Sequence, residues 1–240
     1  MTLKTDTVSR TRVRIIGSAD GMSYQLKTKL SKLGEDFDLS VCLGDVILDY
    51  SQPLHIKQIN ELDPTYVKIV QGNEDDPNKL TAHYLGDFGY LWTHLFYVRG
   101  EKKSPYLKEL TNNNTEITPK QMAAAYRTYR TTKPKIVLTH ACPNSLRHLV
   151  ERMKKEFISK ETHCSKTGKL FDMMLKKHQP EYWVFSHPRK SWREHLSGTT
   201  FISLTPLEHI DIDLVVHHHK KQTKEGGLSN DQANTTSSLC

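Results

Sequence analysis

Short apolar segments alternate with amphipathic ones along most of this chain. Eight of the apolar segments are rich in β-branched and aromatic residues, which is typical of strands. They comprise residues 13–16, 39–43, 66–70, 95–98, 135–139, 182–186, 200–204 and 210–216.

Four segments carry apolar residues at helical spacing. Leu26, Leu30 and Leu33 predict the first helix, Pro119 begins the second at 119–132, and residues 146–157 and 168–178 predict the third and fourth. Strands that alternate with helices in this way predict a layered α/β fold in which mixed sheets are sandwiched by helices. The last two strands have no helix between them, so we expect part of the sheet to be antiparallel.

The pattern predicts one large domain over residues 13–216. Residues 1–12 form an N-terminal arm in this interpretation, and the polar segment 217–240 is expected to be a disordered tail. Residues 101–118 are also polar and predict a long surface loop that could act as a flap.

Composition narrows the class of protein. Hydrophobic residues make up 36% and charged residues 25% of the chain, and no apolar run approaches the roughly 20 residues that span a bilayer. We therefore expect no membrane partner.

The four cysteines show no CxxC spacing, which favours reduced thiols and a cytoplasmic location. The net charge of +7 suits anionic ligands. Because the basic residues are scattered, direct nucleic-acid binding is allowed but not favoured.

Polar residues follow five of the predicted strands, in the segments "GSADG" (17–21), "LGDVILDY" (43–50), "QGNEDD" (71–76), "LTHACP" (138–143) and "VFSHPRKSW" (184–192). Ligands of open α/β sheets bind at the carboxyl ends of the strands. A single histidine in such a place is usually structural, but five polar strand ends on one edge indicate a site. Carboxylate, amide and imidazole groups together suit Mn, Fe, Zn or Ni.

These segments, in this order, resemble the motifs of the calcineurin-like metallophosphoesterases, and most closely a compact group common in bacteriophage and bacterial genomes. The family pattern runs G-D-x-H-G, G-D-x-x-D, G-N-H-D, T-H-x-x-P and G-H-x-H. The resemblance extends from about Val13 to Leu214. It implies the family's layered fold and a hydrolytic reaction on phosphoesters.

The resemblance also implies that one metal site of the family is complete. The family holds two metal ions about 3.5–4 Å apart, and Asp45 matches the aspartate that bridges them. Asn73, His140 and His187 match the remaining ligands of one ion. One divalent transition metal, Mn, Fe, Zn or Ni, is therefore the expected cofactor.

The second metal site departs from the family pattern. Ser18 replaces an aspartate, Asp20 replaces a histidine, and Arg189 replaces the last histidine of G-H-x-H. A guanidinium stays protonated and has no lone pair for a metal, so a second ion is not expected.

Glu74 replaces the histidine that contacts phosphate in the family. It would repel phosphate when ionised and donate a proton if its pKa were raised. A surface turn with solvated acids at 74–76 explains that segment equally well.

The sequence leaves two functions open. The first is a metal-dependent phosphoester hydrolase, a phosphatase or phosphodiesterase, with reduced activity. Asp20 would serve as its base, Glu74 as its acid, and Arg189 would stabilise charge on the phosphoryl oxygens. The second is an inactive module of the same fold that binds a protein or a phosphorylated ligand. Nuclease-like action is a weaker third alternative. If a phage encodes the chain, its location would be the host cytoplasm.

Overall fold

A computed structural model describes most of the chain. The described residues are 7–32, 37–47, 51–72, 75–76, 78–80, 82–92, 95–99, 117–146, 149, 165–186 and 191–218. They form two β-sheets with helices on the outer faces, which confirms the predicted layered α/β fold.

The first sheet has four strands, β1 (Thr7–Ile16), β2 (Leu39–Cys42), β3 (Val67–Ile69) and β10 (His209–His218). Their order is β10-β1-β2-β3. Strands β1, β2 and β3 run parallel, and β10 pairs with β1 antiparallel along its whole length. The carboxyl ends of the three parallel strands therefore meet at one edge of this sheet.

The second sheet has six strands in the order β4-β5-β6-β7-β9-β8. They are β4 (Phe88–Trp92), β5 (Leu95–Val98), β6 (Ile136–Thr139), β7 (Tyr182–Phe185), β8 (Trp192–Leu196) and β9 (Thr199–Ser203). The four inner strands are parallel, whereas the edge strands β4 and β8 pair antiparallel with their neighbours.

Four helices with complete bounds lie within the described part of the chain: α1 (Ser23–Lys32), α2 (Pro53–Asn60), α3 (Pro119–Thr132) and α4 (Lys166–Lys177). Thr118 and Gln121 form a reciprocal capping box at the start of α3, with Pro119 in its first turn. The Ser165 hydroxyl accepts a hydrogen bond from the Gly168 N–H and so caps α4. The two caps therefore set the residues at which α3 and α4 begin.

Three apolar cores separate four layers. Alternate residues of β1 and β2, such as Val13 and Val41, face Leu138 and Val184 of the second sheet in a core between the sheets. A second core lies between β1–β3 and the α1–α2 layer, and a third packs Trp183 and its neighbours against α3 and α4. Strands covered on both faces explain the continuous apolar runs in the sequence.

The observed elements differ from the predicted ones mainly at the edges. β1 begins at Thr7, so residues 7–12 of the predicted arm pair with β10, which itself extends to His218. The sequence did not predict β4, β8 or α2. Most of the predicted third helix, the 101–118 loop and the 217–240 tail lie outside the described residues, although 144–146 are helical.

No helix in the described ranges is both long enough and apolar enough to cross a membrane.

Candidate metal site

Asp45 and His140 lie together where the two sheets meet. Asp45 follows β2 of the first sheet and His140 follows β6 of the second, and both side chains are almost completely buried. The Nε2 atom of His140 is 3.3 Å from Oδ2 of Asp45. The structure thus brings together two of the four predicted metal ligands. Asn73 and His187, together with Glu74 and Arg189, lie outside the described residues.

The orientation of His140 is fixed by the backbone of the β2 end. Its Nδ1 atom is 2.6 Å from the carbonyl oxygen of Leu43. Because a carbonyl oxygen can only accept a hydrogen bond, Nδ1 must carry the hydrogen and donate it. The Nε2 atom is consequently the one that points at the Asp45 carboxylate. A backbone carbonyl that holds the other ring nitrogen is the usual support of a metal-binding histidine.

The spacing of the two side chains fits a shared metal ion. Two ligand atoms about 2.1 Å from one ion, at angles of about 90–109°, lie about 3.0–3.4 Å apart. The 3.3 Å between Nε2 of His140 and Oδ2 of Asp45 falls in this range. One carboxylate oxygen and one imidazole nitrogen are also suitable donors for a divalent transition metal. Among the described residues, however, no three His, Cys, Asp or Glu side chains form a cluster that could hold a metal.

Asp45 and His140 also interact strongly with each other without a metal. Burial alone would lower the pKa of His140, but the negative charge of Asp45, its hydrogen bond and the Leu43 carbonyl raise that pKa to about 9. The raised pKa favours the imidazolium form, with a proton on both nitrogens, when no metal is bound. A metal ion at Nε2 would take the place of that second proton.

Asp75 holds the loops after β2 and β3 together. Its side chain is buried, Oδ2 accepts the N–H groups of Asp45 (2.9 Å) and Gly72 (2.7 Å), and Oδ1 accepts that of Val46 (2.9 Å). Burial, together with the charge of Asp45, raises its pKa to about 6, even though the N–H groups favour the ionised form. The alternative expectation for 74–76, a surface turn with solvated acids, is therefore wrong for Asp75. In the sequence, this aspartate ends the motif "GNED" (72–75), and that place in the motif was the signal that could have indicated its positioning role.

Two glycines permit the close approach of these loops. A Cβ atom on Gly72 would lie 2.3 Å from Oδ1 of Asp45 and 2.5 Å from its backbone nitrogen. Gly44 has a φ of +97°, and a Cβ there would lie 2.6 Å from the Gly72 backbone. Asp45 itself has a φ of +50°, which aspartate tolerates better than most residues. A larger side chain at Gly72 would therefore displace Asp45, and one at Gly44 would press against the Gly72 backbone and Nδ1 of His140.

The turn after β1 is attached to the same edge. The N–H of Ala19 donates to the Gly44 carbonyl (3.0 Å), and the N–H of Gly21 donates to the Asp45 carbonyl (2.9 Å). The Ser18 side chain is buried, and its hydroxyl donates to Oδ1 of Asp20 at 2.8 Å. The structure therefore carries the two altered residues of "GSADG" to the edge that holds Asp45.

Ser186, at the end of β7, connects three strand ends. Its hydroxyl oxygen accepts the Ser18 N–H (2.5 Å), its hydroxyl donates to the Leu204 carbonyl (2.9 Å), and its own N–H donates to the His140 carbonyl (3.1 Å). Sequence reasoning did not single out this serine, because one hydroxyl beside "HPR" gives no pattern by itself. Its contacts align the ends of β1, β6 and β9 with the end of β7.

Comparisons with known proteins give a resemblance in structure only. No family model matches the chain, and no curated protein matches it. One matching solved structure is a predicted phosphoesterase from Streptococcus pneumoniae, with 10% identity, a TM-score of 0.38, and 85% of this chain and 84% of that chain covered. The phosphopantetheinyl hydrolase from Mycobacterium tuberculosis shares 14% identity at a TM-score of 0.42, with 82% and 91% covered.

A third match is the putative 5'-nucleotidase from Staphylococcus aureus, at 10% identity and a TM-score of 0.47, covering 85% of this chain and 51% of that one. This chain therefore spans about half the length of that protein. At these values the likeness bears on neither the activity nor the ligands of the chain.

Proposed function

We propose that the protein is a metal-dependent phosphoester hydrolase of the calcineurin-like kind, with one metal ion held by Asp45, Asn73, His140 and His187. The observation that carries this proposal is the fixed orientation of His140: Nδ1 donates to the Leu43 carbonyl, and Nε2 faces the Asp45 carboxylate at 3.3 Å. The order of the strand-end motifs, which resembles that of the family, supplies the class of reaction.

The neighbours of the other two proposed ligands support the same site. Gly72 precedes Asn73 in the sequence and abuts Asp45, while Ser186 precedes His187 and donates its N–H to the His140 carbonyl. A bound divalent metal would polarise the phosphoryl group and lower the pKa of a water molecule that attacks it. Leu43 and Asp75 would keep His140 and Asp45 in place, so that neither side chain has to reorganise during the reaction.

The remaining roles belong to residues around this site. Asp20 would accept a proton from the attacking water, and its carboxylate already accepts one hydrogen bond from the Ser18 hydroxyl. Arg189 would stabilise the negative charge of the phosphoryl oxygens, and Glu74 in its protonated form would protonate the leaving group. The substrate would be a phosphomonoester or phosphodiester.

Metal binding and turnover test the proposal together. Chelator-treated protein is titrated with Mn²⁺ by calorimetry, and hydrolysis of p-nitrophenyl phosphate and of bis(p-nitrophenyl) phosphate is then measured. We expect about one ion per chain, and we expect Asp45→Asn and His140→Gln to weaken its binding and to lower the rate by about 10²-fold or more. The matched control is His195→Gln, because His195 is an exposed histidine on β8.

The two readouts separate the ways in which the proposal can fail. Unchanged Mn²⁺ affinity in His140→Gln, with circular dichroism and melting temperature like those of the wild type, would remove His140 as a ligand. Metal binding without turnover would refute the hydrolase and leave the alternative, a non-catalytic module that binds a protein or a phosphorylated ligand.

That alternative has one structural observation in its favour. Ser18 stands where the family has a metal-binding aspartate. Its buried hydroxyl donates a hydrogen bond to the Asp20 carboxylate instead. Restoring the family residues with Ser18→Asp, Asp20→His, Glu74→His and Arg189→His tests it. A second bound Mn²⁺ and a gain in turnover would show that these four replacements silence the site. No gain in either would contradict the idea that they are responsible.

A further inference from the structure

The layer formed by α3 and α4 is strongly basic. The two helices carry seven basic residues and one acidic residue, Asp172. The basic residues are Lys120, Arg127, Arg130, Lys166, Lys169, Lys176 and Lys177. The Asp172 carboxylate already accepts the Ser145 N–H at 3.0 Å. The two helices therefore present an excess of positive charge to their surroundings, as much of it on α4 as on α3.

A groove of about 390 Å³ lies between the same two helices. Its apolar lining includes Met122 and Tyr126 from α3 and Leu170 and Met173 from α4, and no described residue outside these helices lines it. Met173 is 47% exposed, one of the few large apolar side chains in the described residues with this much exposure. An apolar groove of this size is large enough to take side chains of a ligand or partner.

Two arginines border the apolar lining. Arg127 and Arg130 both line the groove, and both are exposed. They are three residues apart on α3, so they project from the same side of the helix. A guanidinium binds a carboxylate or a phosphate through two parallel hydrogen bonds, so such a border favours anionic groups.

We infer that this groove binds an amphipathic acidic helix of a partner protein. Leucine-like side chains of the partner would fill the space between Met122, Tyr126 and Met173, and its carboxylates would pair with Arg127 and Arg130. Methionine side chains adapt readily to the shape of an incoming apolar group, and a helix laid into an apolar groove is a common mode of recognition. A nucleic acid would satisfy the arginines but leave the apolar floor unfilled, which favours the protein partner.

The groove is independent of the proposed reaction. It lies between the helices that cover one face of the second sheet, whereas Asp45 and His140 lie at the edge where the parallel strands end. Binding at the groove therefore does not require a metal ion, and the inference stands or falls separately from the hydrolase.

The test uses a designed peptide and the full-length chain. A fluorescein-labelled helical peptide of about 20 residues carries Leu at i, i+3, i+4 and i+7 spacing and Glu on its other faces, and binding is followed by fluorescence anisotropy. We expect saturable binding that weakens by about tenfold or more in Met173→Glu and in the double variant R127E/R130E. A scrambled peptide of equal composition, with no apolar face, should not bind.

Matched controls lie on other elements. Leu54→Glu changes an exposed apolar residue of α2, and the double variant K57E/R193E makes the same change of charge on α2 and β8. Neither should alter the dissociation constant by more than about twofold, apart from a small general effect of net charge. Every variant is checked by circular dichroism, and a benzophenone-bearing peptide is crosslinked to the wild-type chain so that the contact is located without any mutation.

Several results would overturn the inference. These are equal binding of the scrambled peptide, equal binding by the groove variants, or crosslinks that fall outside α3 and α4. Binding of anionic vesicles or of single-stranded DNA through Arg127 and Arg130, with no binding of the peptide, would assign the surface to another class of partner. Oligomers that dissociate on Met173→Glu would instead identify a second copy of this chain as the occupant.

Discussion

At the scale of single residues, the candidate site depends on the close contact between the loop after β2 and the loop after β3. The loops after β2 and β3 touch through Gly44 and Gly72, and Asp75 fastens both loops with three hydrogen bonds from backbone N–H groups. A buried carboxylate with three such donors leaves little freedom to the backbone on either side. The position of the Asp45 carboxylate is therefore set by its neighbours rather than by its own rotamer alone.

Gly72→Ala tests this packing. The new methyl group would overlap Oδ1 and the backbone nitrogen of Asp45, so one of the two loops must move. We expect a loss of about 2 kcal/mol or more in the free energy of unfolding and at least a tenfold weaker affinity for Mn²⁺. Urea denaturation and calorimetry measure the two effects.

The control for that substitution is Gly86→Ala. Among the described residues, a Cβ at Gly86 would meet only the Tyr97 hydroxyl, at 4.0 Å, which is an ordinary contact. If Gly72→Ala resembles this control in both stability and metal affinity, the loops are not held together as described.

At the scale of the elements, the turn between β9 and β10 supports the turn after β1. The N–H of Gly17 donates to the Glu208 carbonyl (2.7 Å), and that of Leu207 donates to the Ser18 carbonyl (3.0 Å). The Glu208 carboxylate closes its own turn by accepting the N–H and hydroxyl of Thr205 (2.8 and 3.0 Å) and the hydroxyl of Ser191 (2.8 Å). Burial opposes ionisation of Glu208, but these hydrogen bonds outweigh it and lower its pKa below 4.5.

Glu208→Gln should therefore destabilise the protein in a pH-dependent way. A depressed folded-state pKa contributes stability above the unfolded pKa of 4.5, and this contribution disappears as the pH falls through the folded value. We expect a loss of about 0.5–1 kcal/mol at about pH 7, reduced because the group is partly solvated, and a smaller loss at about pH 3. Urea denaturation at the two pH values measures it. The exposed Glu194→Gln on β8 is the control, and an effect of Glu208→Gln that is equal at both pH values would contradict the explanation.

At the scale of the whole molecule, one apolar core is shared by both sheets. Leu138 and Val184 of the second sheet pack with Val13 and Val41 of the first. Asp45 and His140 come from different sheets, so the site is assembled only when this core is formed. The stability of the fold and the geometry of the site are thus coupled through the packing between the sheets.

Leu138→Ala tests that coupling. The side chain is fully buried between the sheets, so we expect its truncation to lower the free energy of unfolding by about 2–4 kcal/mol and to weaken Mn²⁺ binding. Leu54→Ala, at a residue 61% exposed on α2, should change stability by about 0.5 kcal/mol or less. Comparable losses in the two variants would show that the sheets do not share a common core.

The sequence predicted the elements that have a clear hydrophobic pattern and missed those in which the pattern is weak. The predicted helix at 119–132 is observed with the same bounds, and strand 95–98 is observed unchanged. By contrast, β8 is mostly exposed and its residues, "WREHL", do not alternate; α2 has one fully buried residue and no side-chain cap. An edge element with little buried surface leaves no periodic pattern for a sequence to show.

What the sequence by itself determined was the kind of chain: short apolar strands, helices between them, and polar groups at the strand ends. Hydrophobic periodicity reports how each residue is covered, and that information is local. Only the tertiary structure decided that β9 joins β7 while β10 crosses to β1, that Asp75 is buried, and that His140 faces Asp45 from the other sheet. These are pairings between residues far apart in the chain, which depend on how strands associate and which no local pattern encodes.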